Sequence, residues 1–372
     1  MLVRDAETDH LQQLARTTAS LTLEPFEGDQ ATTLWLSRGW FDVQINGFAG
    51  VDLNGEPVTL DELRTMTTRL HAEGVARYLA TVITNAPEAM AACFAGIASA
   101  RSADASLAHA VAGMHLEGPF ISPLDGARGA HPLEHVRAAD LVLFDELAAA
   151  ASGAIRLVTL APEVSGAITM IEGLRERGVT VAIGHSLADA GIIERAVAAG
   201  ARLSTHLGNG APAVLPRHPN LIWDQLADDT LYASLIFDGH HLPVSVMRVM
   251  ARAKGNERTI LTSDAVALAR MAPGVYDAAV GGRVALSAEG RLTLAGTPYL
   301  AGSASSLLDG VDTAMRRVGL APATALAAVG RNPRALLGID DDDLTIVDVN
   351  PNGVEVVAVR SGGRWVVDNV AA

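Results

Sequence analysis

The sequence predicts an α/β fold: a parallel (β/α)8 TIM-like barrel with a small β domain built from both termini. Three observations carry that reading. Eight short apolar runs alternate with helical stretches rich in Ala and Leu. Polar residues stand at the carboxyl ends of successive runs: Glu117, His185, His206, His241 and Asp264. The two ends of the chain carry short alternating stretches instead. Short apolar runs separated by helices indicate parallel strands with helical crossovers, and eight such units in about 250 residues is the usual barrel size. A barrel also brings the carboxyl ends of its strands to one rim, where distant residues can meet.

In chain order, the terminal β segments begin at 21–23 and 33–36. The strand-like runs are 40–45, 77–83, 110–116, 155–160, 180–183, 202–205, 232–237 and 259–262. Helical stretches are read at 60–72, 87–100, 138–151, 166–177, 187–199 and 244–253. Further β segments follow at 344–347, 354–359 and 365–367, around turn-like Asn350-Pro351-Asn352-Gly353 and Ser361-Gly362-Gly363. The expected division is therefore 1–38 plus 338–372 for the small β domain and 39–337 for the barrel. The acidic run 340–343 reads as a solvated turn. A doubly wound open sheet is the competing fold, but no G-x-G-x-x-G follows an early strand.

Composition narrows the function. The 372 residues are 49% hydrophobic and only 4% aromatic, so the core must be filled mainly by aliphatic side chains. A net charge of -14 argues against a nucleic-acid partner, since phosphate backbones are held by clustered Lys and Arg. It leaves room for one small anion in a local basic pocket. Cys93 is the only cysteine, which excludes an internal disulfide framework and a cysteine-built metal site. Its helical apolar neighbours Met90, Phe94 and Ile97 point to packing. The amino-terminal stretch lacks an apolar signal core, and no run is long enough to span a membrane, so a cytoplasmic protein is expected.

Glu117 lies in Gly113-Met114-His115-Leu116-Glu117-Gly118-Pro119, where the Gly-Pro pair ends the strand. His185 follows Ala182-Ile183-Gly184, and His206 follows Leu203-Ser204-Thr205. Any one histidine alone reads more simply as a hydrogen-bonded core or surface residue. Two imidazoles and one carboxylate at consecutive rims make a catalytic zinc set with one position left open. Asp264, after Leu261-Thr262-Ser263, can take a proton from a water beside such an ion and return it to a leaving group. Its competing reading is a helix N-cap. His131 and His241 can each donate to a carbonyl or a phosphate. Arg217 can pair with an anion or be a plain surface charge. The first strand ends Asp42-Val43-Gln44-Ile45-Asn46-Gly47. Many metal-dependent barrel hydrolases place His-x-His there. Gln44 and Asn46 are weak neutral ligands, so a tightly held second metal is not expected.

These motifs resemble the N-acetylglucosamine-6-phosphate deacetylases of the amidohydrolase superfamily. The matching segments are Phe41 to Gly47, His115 to Pro119, Gly184-His185-Ser186, Thr205-His206-Leu207 with Asn209, Asp238 to His241, Ser263-Asp264-Ala265 and Leu300 to Ala304. They fall in the family's order over roughly residues 39 to 337. The resemblance implies that Glu117, His185 and His206 bind one divalent metal ion, zinc by preference. It implies that Asp264 is general base and then acid, and that His131 helps polarise the acetyl carbonyl, with Ala130 beside it. Asn209 and Gly210 would meet the substrate, Arg217 and His241 would hold its phosphate, and Leu300, Ala301 and Gly302 would line the sugar pocket. A homodimer is implied, with part of the phosphate site supplied by the second subunit. The Gln-x-Asn pair resembles the single-metal branch. Departures fall on the substrate side: Gly208-Asn209-Gly210 replaces the family's usual Tyr-Asn-Ala, and His218-Pro219-Asn220 follows Arg217 in place of Glu-Pro-Gly.

The expected activity is hydrolysis of the N-acetyl group of an N-acetylamino sugar phosphate. Two other readings stay open. One keeps the barrel and metal but takes another N-acyl sugar or a cyclic amide without a phosphate. The other is an inactive barrel used as a binding subunit.

Overall fold

The computed structural model describes residues 1–16, 21–28, 30–278 and 282–369. Positions 17–20, 29, 279–281 and 370–372, which fall inside the two predicted domains, lie outside the described residues. Eight strands succeed one another in chain order around one sheet: Trp40–Ile45, Val75–Ile83, Val111–Glu117, Ile155–Leu160, Thr180–Ile183, Ala201–Ser204, Tyr232–Leu235 and Thr259–Leu261. Every neighbouring pair is parallel. The first and eighth strands share no ladder. They meet through a single parallel bridge, Ile45 to Ala265, where the Asn46 and Gly47 amides donate to the Ala265 carbonyl. The barrel is thus nearly closed, with one weak seam.

Alternation along the strands builds two apolar layers. Phe41, Val43, Leu79, Ala112, Leu157, Ala182, Leu203 and Ile260 form one buried cluster drawn from seven strands, with Tyr232 of the remaining strand packed against it. This is the filled interior expected of such a barrel. Leu336, Leu337 and Ile339 also pack on this layer. Trp40, Tyr78, Met114 and Val158 belong to the larger outer cluster, together with helix residues such as Leu63, Met66 and Leu70. Cys93 lies in that outer cluster beside Met90, Phe94 and Ile97. Burial pushes its thiol up to about 11.

Caps set where the helices start. Thr59 and Glu62 form a reciprocal capping box at the head of Leu60–Ala72. Asp140 and Asp189 accept amides at the heads of Leu141–Ala150 and Ala190–Ala199. Both helices therefore begin three residues later than the apolar pattern suggests. Residues 187–189 are instead a loop in which Glu163 accepts from the Leu187 amide and the Ser186 hydroxyl.

The termini form a seven-stranded sheet in the order Arg364–Asp368, Gly353–Ser361, Leu344–Asn350, Leu34–Arg38, Leu2–Asp5, Leu11–Arg16, Leu21–Pro25. The two ends interleave, because Leu344–Asn350 pairs antiparallel with Leu34–Arg38. Its core is Val3, Leu14, Leu36, Ile346 and Ala358. Two of its strands, Leu2–Asp5 and Leu11–Arg16, are absent from the sequence reading.

The acidic run 340–343 corrects another expectation. Asp340 and Asp342 are exposed, but the Asp341 and Asp343 side chains are only 7% and 0% exposed. Asp341 pairs with Arg77 and Arg334, and Asp343 with His109. Alternation turns every second acid inward, so the segment ties the terminal sheet to the barrel. A third sheet was also not anticipated: Gly274–Ala278, Gly282–Leu286 and Leu292–Leu294, inserted after the eighth barrel strand. It packs around Leu268, Val284, Leu286, Leu292, Ala301 and Ala304. No helix among the described residues is long and apolar enough to cross a membrane.

Candidate active site

Glu117 ends the third barrel strand, and His185 and His206 stand two residues beyond the fifth and sixth. All three are buried. His185, His206 and Asp264 share an unusual backbone, with φ of 51°, 29° and 50°. Non-glycine residues reach this left-handed region at a cost of about 1–3 kcal/mol each, and such strain clusters at functional sites. Here it turns each chain end at the same rim of the barrel.

Glu117 Oε1 lies 3.1 Å from His185 Nε2 and 2.9 Å from His206 Nε2. One ligand atom from each of the three residues falls within 4.8 Å of the others. His185 Nδ1 is 2.9 Å from the Ala127 carbonyl, which can only accept, so Nδ1 carries a proton. Its Nε2 faces a carboxylate oxygen, an arrangement stable only with positive charge between them, a proton or a cation. A histidine whose far nitrogen donates to a carbonyl is the usual companion of a metal ligand. Two imidazoles and one carboxylate suit a divalent cation. The charge balance agrees. Burial pushes Glu117 upward, but the hydrogen bonds and charge of His185 and His206 together hold it well below the usual carboxylate range. Burial disfavours charged His206, yet Glu117 and Asp264 together raise it.

Asp264 lies three residues past the eighth strand. Its Oδ1 accepts from Gln44 Nε2 at 2.8 Å and from Asn46 Nδ2 at 2.7 Å. Gln44 Nε2 also donates to Glu117 Oε1 at 3.0 Å, so one amide bridges the two carboxylates. Burial, then the Glu117 charge, raises the Asp264 carboxyl to about 7. His131 packs edge-on against His185, with ring centroids 4.3 Å apart, and its Nδ1 is 2.8 Å from Thr84 Oγ1. Burial, then His185, lowers His131 to about 3, so its ring is neutral. His241 Nδ1 is 2.6 Å from Asp238 Oδ2.

Asn46, Glu117, His131, His185, His206, His241 and Asp264 line one cleft of about 220 Å³, with Ala130, Asn209, Gly210, Leu300 and Gly302 in its wall. Gly210 has a steric reason: at φ +55°, an added Cβ would sit 2.7 Å from His185 Nδ1. Two predicted residues lie elsewhere. Ala301 is buried in the core of the inserted sheet, and Arg217 is exposed in the loop before the helix Leu221–Ala227. No Lys or Arg is among the described residues lining the cleft. The sequence reading missed Ile83, Thr84 and Val266. Thr84 follows a strand end directly, so the rule that found the other rim residues also points to it.

No family model matches the chain. Similar proteins of known activity do. N-acetylglucosamine-6-phosphate deacetylase of Bacillus subtilis is 34% identical over 70% of this chain and 66% of its own length. N-acetylgalactosamine-6-phosphate deacetylase of Escherichia coli O157:H7 is 32% identical over 82% of this chain and 78% of its own. The chain belongs to the N-acetylglucosamine-6-phosphate deacetylase family. A solved family member, that of Mycobacterium smegmatis, superposes with a TM-score of 0.84 at 28% identity, covering 99% of both chains. That structure is of a mutant in complex with N-acetyl-D-glucosamine-6-phosphate. The family's barrel and terminal sheet are therefore those described here, and the buried Glu-His-His cluster has the donor set and spacing that could hold a divalent cation.

Proposed function

We propose that this chain hydrolyses the N-acetyl group of N-acetylglucosamine 6-phosphate, giving glucosamine 6-phosphate and acetate. The observation that carries the reading is the convergence of Glu117, His185 and His206 with Asp264 beside them. The family's substrates, as its relatives are named, supply the sugar phosphate. Because one of those relatives acts on N-acetylgalactosamine 6-phosphate, the galacto epimer is the second reading.

Glu117, His185 and His206 would hold one Zn2+. When bound, the ion supplies a Lewis acid for the amide carbonyl and lowers the pKa of a water toward about 7. Gln44 and Asn46 turn their amide nitrogens to Asp264 and could offer an ion only neutral amide oxygens, which are weak ligands, so a tightly held second ion is not expected there. Their grip on Oδ1 supports a division of labour in which Oδ2 of Asp264 takes the proton from the attacking water and later delivers it to the leaving amine. Neutral His131 donates to the acetyl oxygen as charge develops there. For that, the Thr84 hydroxyl must give its hydrogen to His131 Nδ1 at 2.8 Å rather than to the Glu117 carbonyl at 3.4 Å, leaving Nε2–H toward the cleft. Ala130, Asn209, Gly210, Leu300 and Gly302 shape the sugar site, with Ala301 supporting Leu300 and Gly302 from behind.

His241 is the cleft residue suited to a phosphate, since Asp238 holds its ring in place. Arg217 is exposed and does not line the cleft, so it would act on a partner's cleft in a homodimer. We place the domain division at 1–38 plus 338–372 and 39–337, and the enzyme in the cytoplasm. Asp264→Asn tests the assignment of the base. Its Zn2+ content should match the native protein while turnover falls about 10²–10⁴-fold. Substantial residual acetate release from the loaded variant would refute the role.

A further inference from the structure

Asp42 stands two residues before Gln44 in the first barrel strand and is 0% exposed. Its carboxylate meets neutral donors only. Oδ1 accepts the Thr262 hydroxyl at 2.7 Å, the Gln44 amide at 3.2 Å and the Ser263 amide at 3.3 Å, and Oδ2 accepts the Ser263 amide at 3.2 Å. No Lys, Arg or His among the described residues forms an ion pair with it. A buried carboxylate without a counter-ion is a costly way to hold a strand, which apolar packing would do better. Burial raises it to about 6, against the pull of those donors.

Its location gives the reason for keeping it. The contacts span the one seam of the barrel without a ladder, where the first and eighth strands share only the Ile45–Ala265 bridge. The register of the first strand also shifts between Asp42 and Ile45. On the far side of the seam, Ser263 immediately precedes Asp264, whose backbone is held at φ 50°. Ser263 Oγ in turn accepts the Ala265 amide at 3.1 Å. On the near side, Asp42 holds the backbone of Gln44, whose side chain donates to Asp264 Oδ1 and Glu117 Oε1. One carboxylate therefore fastens the backbone of Asp264 from the residue before it and fastens the side-chain donor that grips it.

We infer that Asp42 is a positioning residue: across the open seam it sets Ser263 and Gln44 so that Asp264 keeps Oδ1 on the two amides and Oδ2 free. This rests on the reading of Asp264 as the base. A role in barrel stability alone would predict that turnover, substrate affinity and cation content change together.

The test compares Zn2+-loaded Asp42→Asn, Thr262→Val and Thr262→Ser with the native protein, using N-acetylglucosamine 6-phosphate. A crystal structure of Asp42→Asn accompanies the kinetics. In Asp42→Asn, kcat should fall about 100-fold, as expected when a catalytic group is misplaced by about 1 Å. KM should stay within about twofold, cation content should be unchanged, and the Asp264 carboxylate should leave the Gln44 and Asn46 amides. Thr262→Val should lower kcat in the same direction, and Thr262→Ser should restore it. Unchanged kcat in Asp42→Asn, or loss of kcat together with cation, overturns the inference. If Asp42→Asn does not fold, equal kcat in the two Thr262 variants overturns it. If the native protein releases no acetate, the proposed function fails on its own. The position of Asp264 in the Asp42→Asn crystal then decides this inference, and an unmoved carboxylate overturns it.

Discussion

Asp264 shows how opposed forces set a single residue. Burial and the Glu117 charge raise its carboxyl to about 7, while two amides on Oδ1 favour the charged form. A cation on Glu117, His185 and His206 would favour the charged form further. The sign of the pH dependence follows. A carboxyl whose folded pKa is raised contributes stability below its ordinary value and loses that contribution as pH rises through about 7. Raised His206 works in the same direction. Depressed Glu117 has the opposite sign, but its contribution is lost only at pH values below the ordinary carboxylate range. The metal-free protein is therefore penalised as pH climbs, and Zn2+ held by the proposed ligands would relieve the penalty, since it binds their deprotonated forms. Thermal unfolding should show a Tm gain on adding Zn2+ that is larger at about pH 8 than at about pH 5. An equal or smaller gain at the higher pH would contradict this electrostatic picture.

At the scale of strands and loops, the site is legible wherever chemistry sits at the end of a strand. Glu117, His185 and His206 could be picked out because each closes an apolar run, the first before Gly118-Pro119 and the others within two residues of the run. Gln44 and Asn46 were visible as poor metal ligands that could still hydrogen-bond the rim, but their acceptor was not visible. Their use as donors depends on an acceptor 220 and 218 positions away, which no local pattern carries. The inserted sheet was hidden for a local reason: its strands are 3 to 5 residues long, in a segment punctuated by Pro273, Gly274, Gly290 and Gly296 that reads as loop. Leu2–Asp5 and Leu11–Arg16 were hidden because so few of their residues turn into the core, Val3 and Leu14 among them. The loop after the sixth strand gives a direct prediction. In Gly210→Ala the new Cβ must push His185 Nδ1 from the Ala127 carbonyl. Zn2+ affinity, measured by chelator competition, should drop about 10–100-fold. Undiminished affinity would show that the loop can yield without disturbing the ligand.

Across the whole molecule, the barrel and the terminal sheet are joined by paired acids that the sequence presents as an ordinary charged run. Arg77, Arg334 and His109 hold Asp341 and Asp343 under the surface, while Asp340 and Asp342 stay out. The chain carries a charge of -14, and no Lys or Arg is among the described residues lining the cleft, so His241 would need a further cation to hold a phosphate. The proposed role of Arg217 on a partner's cleft would supply that cation. The most direct measurement is acetate release by chelator-stripped protein, before and after adding Zn2+, from N-acetylglucosamine 6-phosphate and from N-acetylglucosamine. The predicted result is acetate from the phosphorylated sugar alone, and only once Zn2+ is restored. Release that survives chelation, equal release from the unphosphorylated sugar, or no release from either would contradict the proposed function.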